Sequence, residues 1–413
     1  MYEKPVVDAL YEALINEDHE KLSEIQRTRY AECNDLRILI CTENSGGVDL
    51  DFDMGLKPCE YVTPIFEGPR AMLISRHTAV QAHITGGRSN VLVDYSLSFD
   101  SNFAQRLRSF VNSRKIEAVE WDRVVSVLRL KAANPRVQFD VIPFLNENTR
   151  FVREAPDNLR PVETLIAFRM LDHLNWQAFL ADPTQLDFGE SIETLHERLK
   201  PGEEAYLSSL YSDARVLKQE AMALGTQALL LRLATLRKRH KQDLKSILRG
   251  LLDFSILELG AVPITELTLI WKGFSTRQPA RFFGPLVNPS GDVVADARSM
   301  AWDLTHLRSL QDVARQTQLG SFFVPYFVSF DARWREMLRL NPIRLMLMDD
   351  ATCGQAIGRT MDREFHPLIE EVLSEKARLE MTPEKIAARR LAARTLDYAS
   401  MQVLVQREKL AWT

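Results

Sequence analysis

The sequence predicts an α/β protein with a central parallel sheet flanked by helices, a large α-helical insertion and a helical C-terminal tail. Short apolar segments at 90–94 and 322–330 have the length and composition of buried strands. Helical spacing of apolar residues follows each strand, which is the order of elements in α/β domains. Residues 203–259 are helical in pattern almost throughout, and only Gly225 and Gly250 interrupt them.

The elements follow one another along the chain with clear changes of pattern. Residues 5–30 have the apolar spacing of amphipathic helix, and Gly86-Gly87 marks a turn before the first buried strand. Pro161 and Glu163 suit the first turn of a helix. Further strands are predicted at 35–41, 137–142 and 345–348, and further helices at 99–111, 161–180, 264–274, 295–316 and 360–413.

A chain of 413 residues is too long for one ordinary core, since domains run to roughly 100–200 residues. We expect five consecutive regions. They are an N-terminal helix with an irregular strand region (1–88), the first part of the core (89–200), a helical insertion (201–259), the second part of the core (260–360) and C-terminal helices (361–413).

Composition excludes several classes of protein. With 46% apolar and 26% charged residues the chain is typical of globular proteins, and its net charge of −4 means that a polyanion would need a local basic patch. The four cysteines form no CxxC pair, so we expect free thiols and not a disulfide framework. No signal-peptide pattern or run of about 18 apolar residues occurs, so we expect a cytoplasmic protein without a membrane partner.

The common catalytic motifs do not occur in this sequence. There is no GxxxxGK[ST], no GxGxxG after a strand, no GxSxG, no HExxH and no kinase signature. The eight histidines are dispersed, and none pairs with another at the spacing of a helical metal site.

Carboxylates are the more informative residues. Asp94 and Asp331 end predicted strands, Asp303 lies on a predicted helix, and Glu163 and Glu266 lie near the starts of helices. Acids beside apolar stripes are costly to bury, and clustered carboxylates repel one another. A Mg²⁺ or Mn²⁺ ion would relieve both costs and could activate water at a phosphodiester.

Three segments resemble the PIN-like metal-dependent nucleases. Asn90-Val-Leu-Val-Asp94-Tyr-Ser96 is similar to their first strand, Ala301-Trp-Asp303-Leu-Thr-His-Leu-Arg308 to the helix of their third acid, and Phe327-Val-Ser-Phe-Asp331 to the following strand and acid. Either Glu163 or Glu266 fills the place of the helical glutamate. The resemblance implies a metal-dependent endonuclease, RNA more than DNA as substrate, and a toxin-like or defence role.

The chain departs from that family pattern in two ways. Tyr95 stands where a small threonine is commoner, and the stretch between Asp94 and Asp303 is longer than a compact PIN domain has. A helical insertion at 201–259 would account for the extra length.

Substrate contacts are expected from polar residues near these acids and from a basic helix. Ser96, Arg298, His306 and Arg308 are the candidates near the acids. The basic candidates are Arg237, Lys238, Arg239 and Lys241, which would follow a phosphate backbone. Ion pairs for the arginines and a solvated helix face for the basic cluster are the structural alternatives.

Two other functions fit the same residues. The acids could be helix caps and salt-bridge partners in a non-catalytic interaction protein, whose helical middle or tail binds a protein partner or a second copy. A phosphohydrolase with an aspartate nucleophile is disfavoured because Tyr95-Ser96, and no second aspartate, follows Asp94. The nuclease hypothesis requires Asp94, Asp303 and Asp331 to converge, because they would share one or two ions.

Overall fold

The computed structural model describes residues 5–43, 46–49, 59–87, 91–149, 155, 157–275, 281–317, 321–393 and 397–412. Within these ranges the protein is mixed α/β, as predicted, with more helix than strand and two small sheets.

Short strands alternate with helices in the N-terminal part. In chain order these elements are α1 (Val6–Ile15), α2 (His19–Thr28), α3 (Tyr30–Cys33), β1 (Leu36–Thr42), β2 (Val48–Asp49), β3 (Val62–Pro64), β4 (Arg70–Ile74), α4 (Arg76–Ile84) and β5 (Val93–Phe99).

Helices dominate the middle of the chain. They are α5 (Ser101–Val111), α6 (Ala118–Ala133), α7 (Ile142–Glu147), α8 (Arg160–Met170), α9 (Trp176–Ala181), α10 (Ile192–Ser212), α11 (Ala214–His240), α12 (Leu244–Phe254), α13 (Ile264–Phe274), α14 (Gly284–Val287) and α15 (Val293–Ala314), with β6 (Gln138–Asp140) between α6 and α7. The last part contains β7 (Phe322–Val328), α16 (Ala332–Leu340), β8 (Ile343–Asp349), β9 (Gln355–Arg359), α17 (Asp362–Val372), α18 (Glu375–Leu379), α19 (Pro383–Ala393) and α20 (Tyr398–Trp412).

The first sheet, which we call the mixed sheet, has the strand order β3-β7-β5-β6. Strands β7, β5 and β6 are parallel, and β3 pairs antiparallel with β7 at the edge. Every residue of β7 is buried, which explains its unbroken apolar sequence. The predicted parallel sheet therefore exists, with an antiparallel edge strand.

A second sheet was not predicted from the sequence. Its order is β2-β4-β1-β8-β9, and all of its neighbouring strands are antiparallel. Strands β1 and β8 are far apart in sequence but pair from Leu36 with Asp349 to Ile40 with Leu345.

Helices cover the mixed sheet and build most of the core. Helix α5 packs on α8, and α15 packs on both β7 and α11. The rings of Phe99, Phe103 and Phe168 meet within the core, with the Phe99 centroid 5.1 Å from that of Phe103 and 4.9 Å from that of Phe168.

The expected regions share sheets and core with one another in the structure. Residues 1–88 supply β1, β2 and β4 to the antiparallel sheet and β3 to the mixed sheet, so they share sheets with 322–359. Residues 201–259 are helical, and α11 packs against α15 and α20 and shares their core. Gly225 does not interrupt α11, where its missing Cβ leaves room for Leu259 Cδ1, 3.2 Å from the position a Cβ would take. The tail is helical as predicted.

Candidate functional site

The carboxyl ends of the three parallel strands bring polar residues to one edge of the mixed sheet. Asp100 follows β5, Asp140 ends β6, and Ser329 follows β7. Strand β5 lies between β6 and β7, so the chain reverses its direction of winding across the sheet at β5. Ligands of open α/β sheets bind outside the carboxyl ends of strands at such a reversal. The topology therefore places a candidate site at this edge.

Asp100 is fixed by two hydrogen bonds. Its Oδ1 accepts from the backbone N–H of Phe103 at 2.7 Å, which caps α5, and its Oδ2 accepts from the hydroxyl of Ser329 at 2.5 Å. Burial, together with the nearby Glu147 and Asp331 carboxylates, raises the pKa of Asp100 to about 7 despite these bonds. Asp100 therefore titrates near neutral pH.

Asp331 lies on the neighbouring strand end. Its carboxylate accepts from the backbone N–H of Arg333 at 2.8 Å and lies 3.3 Å from the Arg333 guanidinium. Its own N–H donates to the Ser329 hydroxyl at 3.0 Å, so Ser329 joins Asp331 to Asp100. Asp331 is both a cap of α16 and a neighbour of a second buried acid.

Asp303 reaches the same edge from α15. Burial raises the pKa of its carboxyl well above the ordinary value, and the carboxylates of Glu147, Asp100 and Asp331 raise it further, against a smaller opposite effect of Arg333. Among the described residues no hydrogen-bond donor or ion-pair partner contacts the Asp303 carboxylate. Asp303 as a residue is nevertheless partly exposed.

Glu147 completes this group of acids from the end of α7. Its carboxylate accepts a short hydrogen bond from the Ser101 hydroxyl, one residue after Asp100. It lies 3.9 Å from the Nε2 atom of His306. We refer to Asp100, Glu147, Asp303 and Asp331 as the acid cluster.

His306 lies beside Glu147 of the acid cluster. It is only 1% exposed and lies between the rings of Phe327 and Trp302, whose centroids are 6.0 Å and 5.9 Å from its own. Neither ring nitrogen has a hydrogen-bond partner among the described residues. The predicted substrate contact of His306 is therefore corrected, because its burial leaves it facing Glu147 and not solvent.

The acid cluster does not form a ready metal centre. Across the described ranges, no three His, Cys, Asp or Glu side chains are close enough to hold a metal ion together. Oxygen atoms from four carboxylates nevertheless have the chemistry that Mg²⁺ and Mn²⁺ prefer. The unpartnered carboxylate of Asp303 is the group in this cluster that a cation would stabilise most.

Only two of the acids named from the sequence reach this edge. Asp303 and Asp331 are brought together, but Asp94 pairs with Phe323 at the opposite end of β5, six residues and therefore about 20 Å from Asp100. Glu163 of α8 lies 3.3 Å from Nε2 of His196 on the neighbouring α10, and the fully buried Glu266 pairs with Arg308. Neither glutamate joins the cluster.

The predicted substrate contacts are likewise placed elsewhere. Ser96 is buried in the middle of β5, and Arg308 is held by Glu266 against α13. Arg298 lies on α15 five residues before Asp303, about 140° around the helix from it, and is already engaged in an interaction.

The basic cluster does not line the acid cluster. Gln227 of α11 donates to the Val294 carbonyl of α15 at 3.1 Å, and Gln219 contacts Ser309, so the two helices run antiparallel. From that crossing Arg237 lies ten residues one way and Asp303 nine residues the other, roughly 28 Å apart at 1.5 Å per residue. The Arg237 guanidinium lies 4.9 Å from the Phe274 ring centre and the Lys238 amine 5.1 Å from that of Trp412, while Arg239 and Lys241 are exposed.

Sequence reasoning missed Asp100 and Glu147. The strand extends to Phe99 because Ser96 and Ser98 are small enough to be buried in it, and their polarity hid the strand. The Asp100-Ser101 pair before an apolar-periodic segment was the available signal, since aspartate is a favoured N-cap. For Glu147 the sequence carries no comparable signal.

No protein-family model, curated protein or solved structure matches the chain. Among the helices described, none combines the length and the apolar character that crossing a membrane requires.

Proposed function

We propose that the protein is a divalent-metal-dependent nuclease that hydrolyses phosphodiester bonds, with RNA favoured over DNA, and that the mixed sheet is a PIN-like core. The acid cluster would hold Mg²⁺ or Mn²⁺. Asp94, Glu163 and Glu266 have no part in this proposal.

The surroundings of Asp303 carry the proposal. Three other carboxylates raise its pKa against a smaller opposite effect of Arg333, and among the described residues no hydrogen-bond donor or ion-pair partner contacts its carboxylate. Such an arrangement is unfavourable for folding and persists where the strain serves a function. A divalent cation would remove the repulsion and leave the four acids ionised together.

The side chains divide the work between them. Ser329 fixes the Asp100 carboxylate and the Asp331 backbone in one network, and Ser101 orients Glu147. A bound Mg²⁺ or Mn²⁺ supplies Lewis-acid activation of water and neutralises charge that develops on the phosphate. Arg333, whose side chain is 53% exposed, presents a positive charge beside Asp331.

Helix capping by two of the acids favours a second candidate, a non-catalytic interaction protein. Asp100 and Asp331 already cap α5 and α16, and the described residues contain no preformed metal group. In that case the exposed Leu391, Val403 and Leu410 of the C-terminal helices would contribute to partner binding.

Cleavage of a labelled single-stranded RNA separates the two candidates. We expect hydrolysis with Mg²⁺ or Mn²⁺ that stops in EDTA, and Asp303→Asn should slow it by at least about 100-fold. Asp296→Asn makes the same chemical change in the first turn of the same helix and should retain activity. Metal-independent cleavage, or equal rates in both folded variants, would remove the acid cluster from the chemistry.

A further inference from the structure

Two arginines converge on one aromatic ring next to the acid cluster. The guanidinium carbons of Arg123 on α6 and Arg335 on α16 each lie 5.3 Å from the centre of the Tyr61 ring. Arg123 is also 5.5 Å from the centre of the Phe330 ring, which meets Tyr61 edge to face at 5.2 Å. We call these four residues the arginine–aromatic cluster.

Ser329 connects the arginine–aromatic cluster to the acid cluster. Its carbonyl accepts from Arg335 Nη1 at 2.8 Å, and its N–H donates to the Tyr61 carbonyl at 3.0 Å. Its hydroxyl donates to Asp100 at the same time. Ser329 therefore contacts Arg335 and Tyr61 of the one cluster and Asp100 of the other, on a chain whose net charge is −4.

Each arginine uses part of its hydrogen-bonding capacity, since Arg335 donates to the Ser329 carbonyl and Arg123 hydrogen-bonds to the Tyr61 side chain. Neither forms an ion pair with a carboxylate in the described parts of the chain, and the Nε atom of Arg123 is buried without a hydrogen-bond partner there. Burial and the exposed Glu60 raise the pKa of the Tyr61 hydroxyl, and Arg123 lowers it. A guanidinium held on a ring keeps a planar set of donors that suits a phosphate.

We propose that Arg123 and Arg335 bind a phosphate of a single-stranded nucleic acid adjacent to the one that is cleaved. The position next to the cleaved phosphate rests on the proposed nuclease function, whereas phosphate binding itself does not. Asp100 is only 6% exposed, so little of its surface is open to a rigid ligand. A flexible single strand can bend towards such a site. Duplex DNA is much stiffer, with a persistence length of about 150 base pairs.

Direct binding in EDTA tests this inference without cleavage. The probes are a fluorescein-labelled oligouridylate, the matching oligothymidylate and a duplex of each, measured by anisotropy between about 50 and 200 mM salt. For Arg123→Ala/Arg335→Ala we expect single-strand binding to weaken about 10- to 100-fold, and the slope of log K against log salt to fall by roughly 0.7, the value for one lost phosphate contact.

The matched control is Arg129→Ala/Arg339→Ala, which removes the same charge from exposed positions on the same two helices. Its binding should stay within about threefold of wild type. If the double alanine variant fails to fold, Arg123→Gln/Arg335→Gln replaces it. Equal loss in both pairs, unchanged binding, or tighter duplex binding would overturn the inference.

The outcome also separates this inference from the proposed function. Binding that depends on Arg123 and Arg335 without any cleavage would remove the nuclease and keep the phosphate site. Metal-dependent cleavage with binding unchanged by the double variant would keep the nuclease and remove the phosphate site. A larger effect on oligouridylate than on oligothymidylate would identify RNA as the ligand, and the opposite order would identify DNA.

Discussion

The hydroxyl of Ser329 donates to Asp100 at 2.5 Å and accepts from the backbone N–H of Asp331 at 3.0 Å. One small side chain thereby couples acids that follow two different strands, although 229 residues separate Ser329 from Asp100 in sequence. This coupling fixes the positions of Asp100 and Asp331 relative to each other.

Replacing Ser329 with alanine should shift the pH dependence of activity. The Ser329 hydrogen bond lowers the pKa of Asp100, so its loss should raise that pKa above about 7. Activity that needs ionised Asp100 should then fall several-fold more at pH 6 than at pH 8 relative to wild type. An unchanged profile with a uniformly lower rate would assign Ser329 a packing role only.

The acids of the cluster should make the metal-free protein less stable as pH rises. Asp100 and Asp303 have raised pKa values in the folded state, whereas the unfolded aspartate titrates near 3.9. Between about pH 4 and pH 7 the unfolded chain therefore loses protons that the folded chain retains, and the free energy of unfolding falls.

Asp303→Asn should remove part of that fall. In EDTA at pH 7.5 we expect the variant to melt a few degrees higher than wild type, with the difference vanishing below about pH 4. Scanning calorimetry across this pH range is the measurement. A variant that melts lower at pH 7.5 would show that Asp303 makes a stabilising contact.

Asp94→Asn should leave cleavage within about twofold of wild type. Asp94 lies at the far end of β5, roughly 20 Å from Asp100, so its carboxylate cannot share an ion with the acid cluster. Steady-state cleavage of the same RNA by the two proteins tests this. A loss like that of Asp303→Asn would contradict the assignment of Asp100 in its place.

Glu266→Gln should lower stability and spare the chemistry. Glu266 is fully buried and pairs with Arg308 between α13 and α15, and removing one partner of a buried pair costs about 3 kcal/mol or more. We expect a lower denaturant midpoint with a normal cleavage rate in the folded protein. Lost activity at unchanged stability would instead point to a role in catalysis.

The sequence predicted the elements with strong periodicity better than the site they build. The strand that precedes Asp331 and the helix that carries Asp303 were correctly expected, because β7 is buried throughout and α15 has helical spacing of its buried residues. The predicted start of β5 was close to the observed one, but the predicted end at Asp94 fell short of Phe99. Buried Ser96 and Ser98 broke the apolar pattern, so Asp94 was named where Asp100 stands.

Long-range pairing explains the rest of the differences. The antiparallel sheet joins β1 to β8 across about three hundred residues, and no local pattern encodes that register. The basic residues of α11 looked like a phosphate surface in sequence, whereas helix packing directs them away from Asp303. Arg123 and Arg335 were not noticed because each is an isolated arginine until the fold brings both to Tyr61.

The location of a bound cation tests the central claim most directly. Crystals soaked in Mn²⁺ at neutral pH should show an anomalous difference peak within about 2.5 Å of an Asp303 carboxylate oxygen and of at least one more acid of the cluster. The same soak of Asp303→Asn crystals should show no peak there. Wild-type crystals without a peak at saturating Mn²⁺, or with one only at a distant surface, would contradict the account.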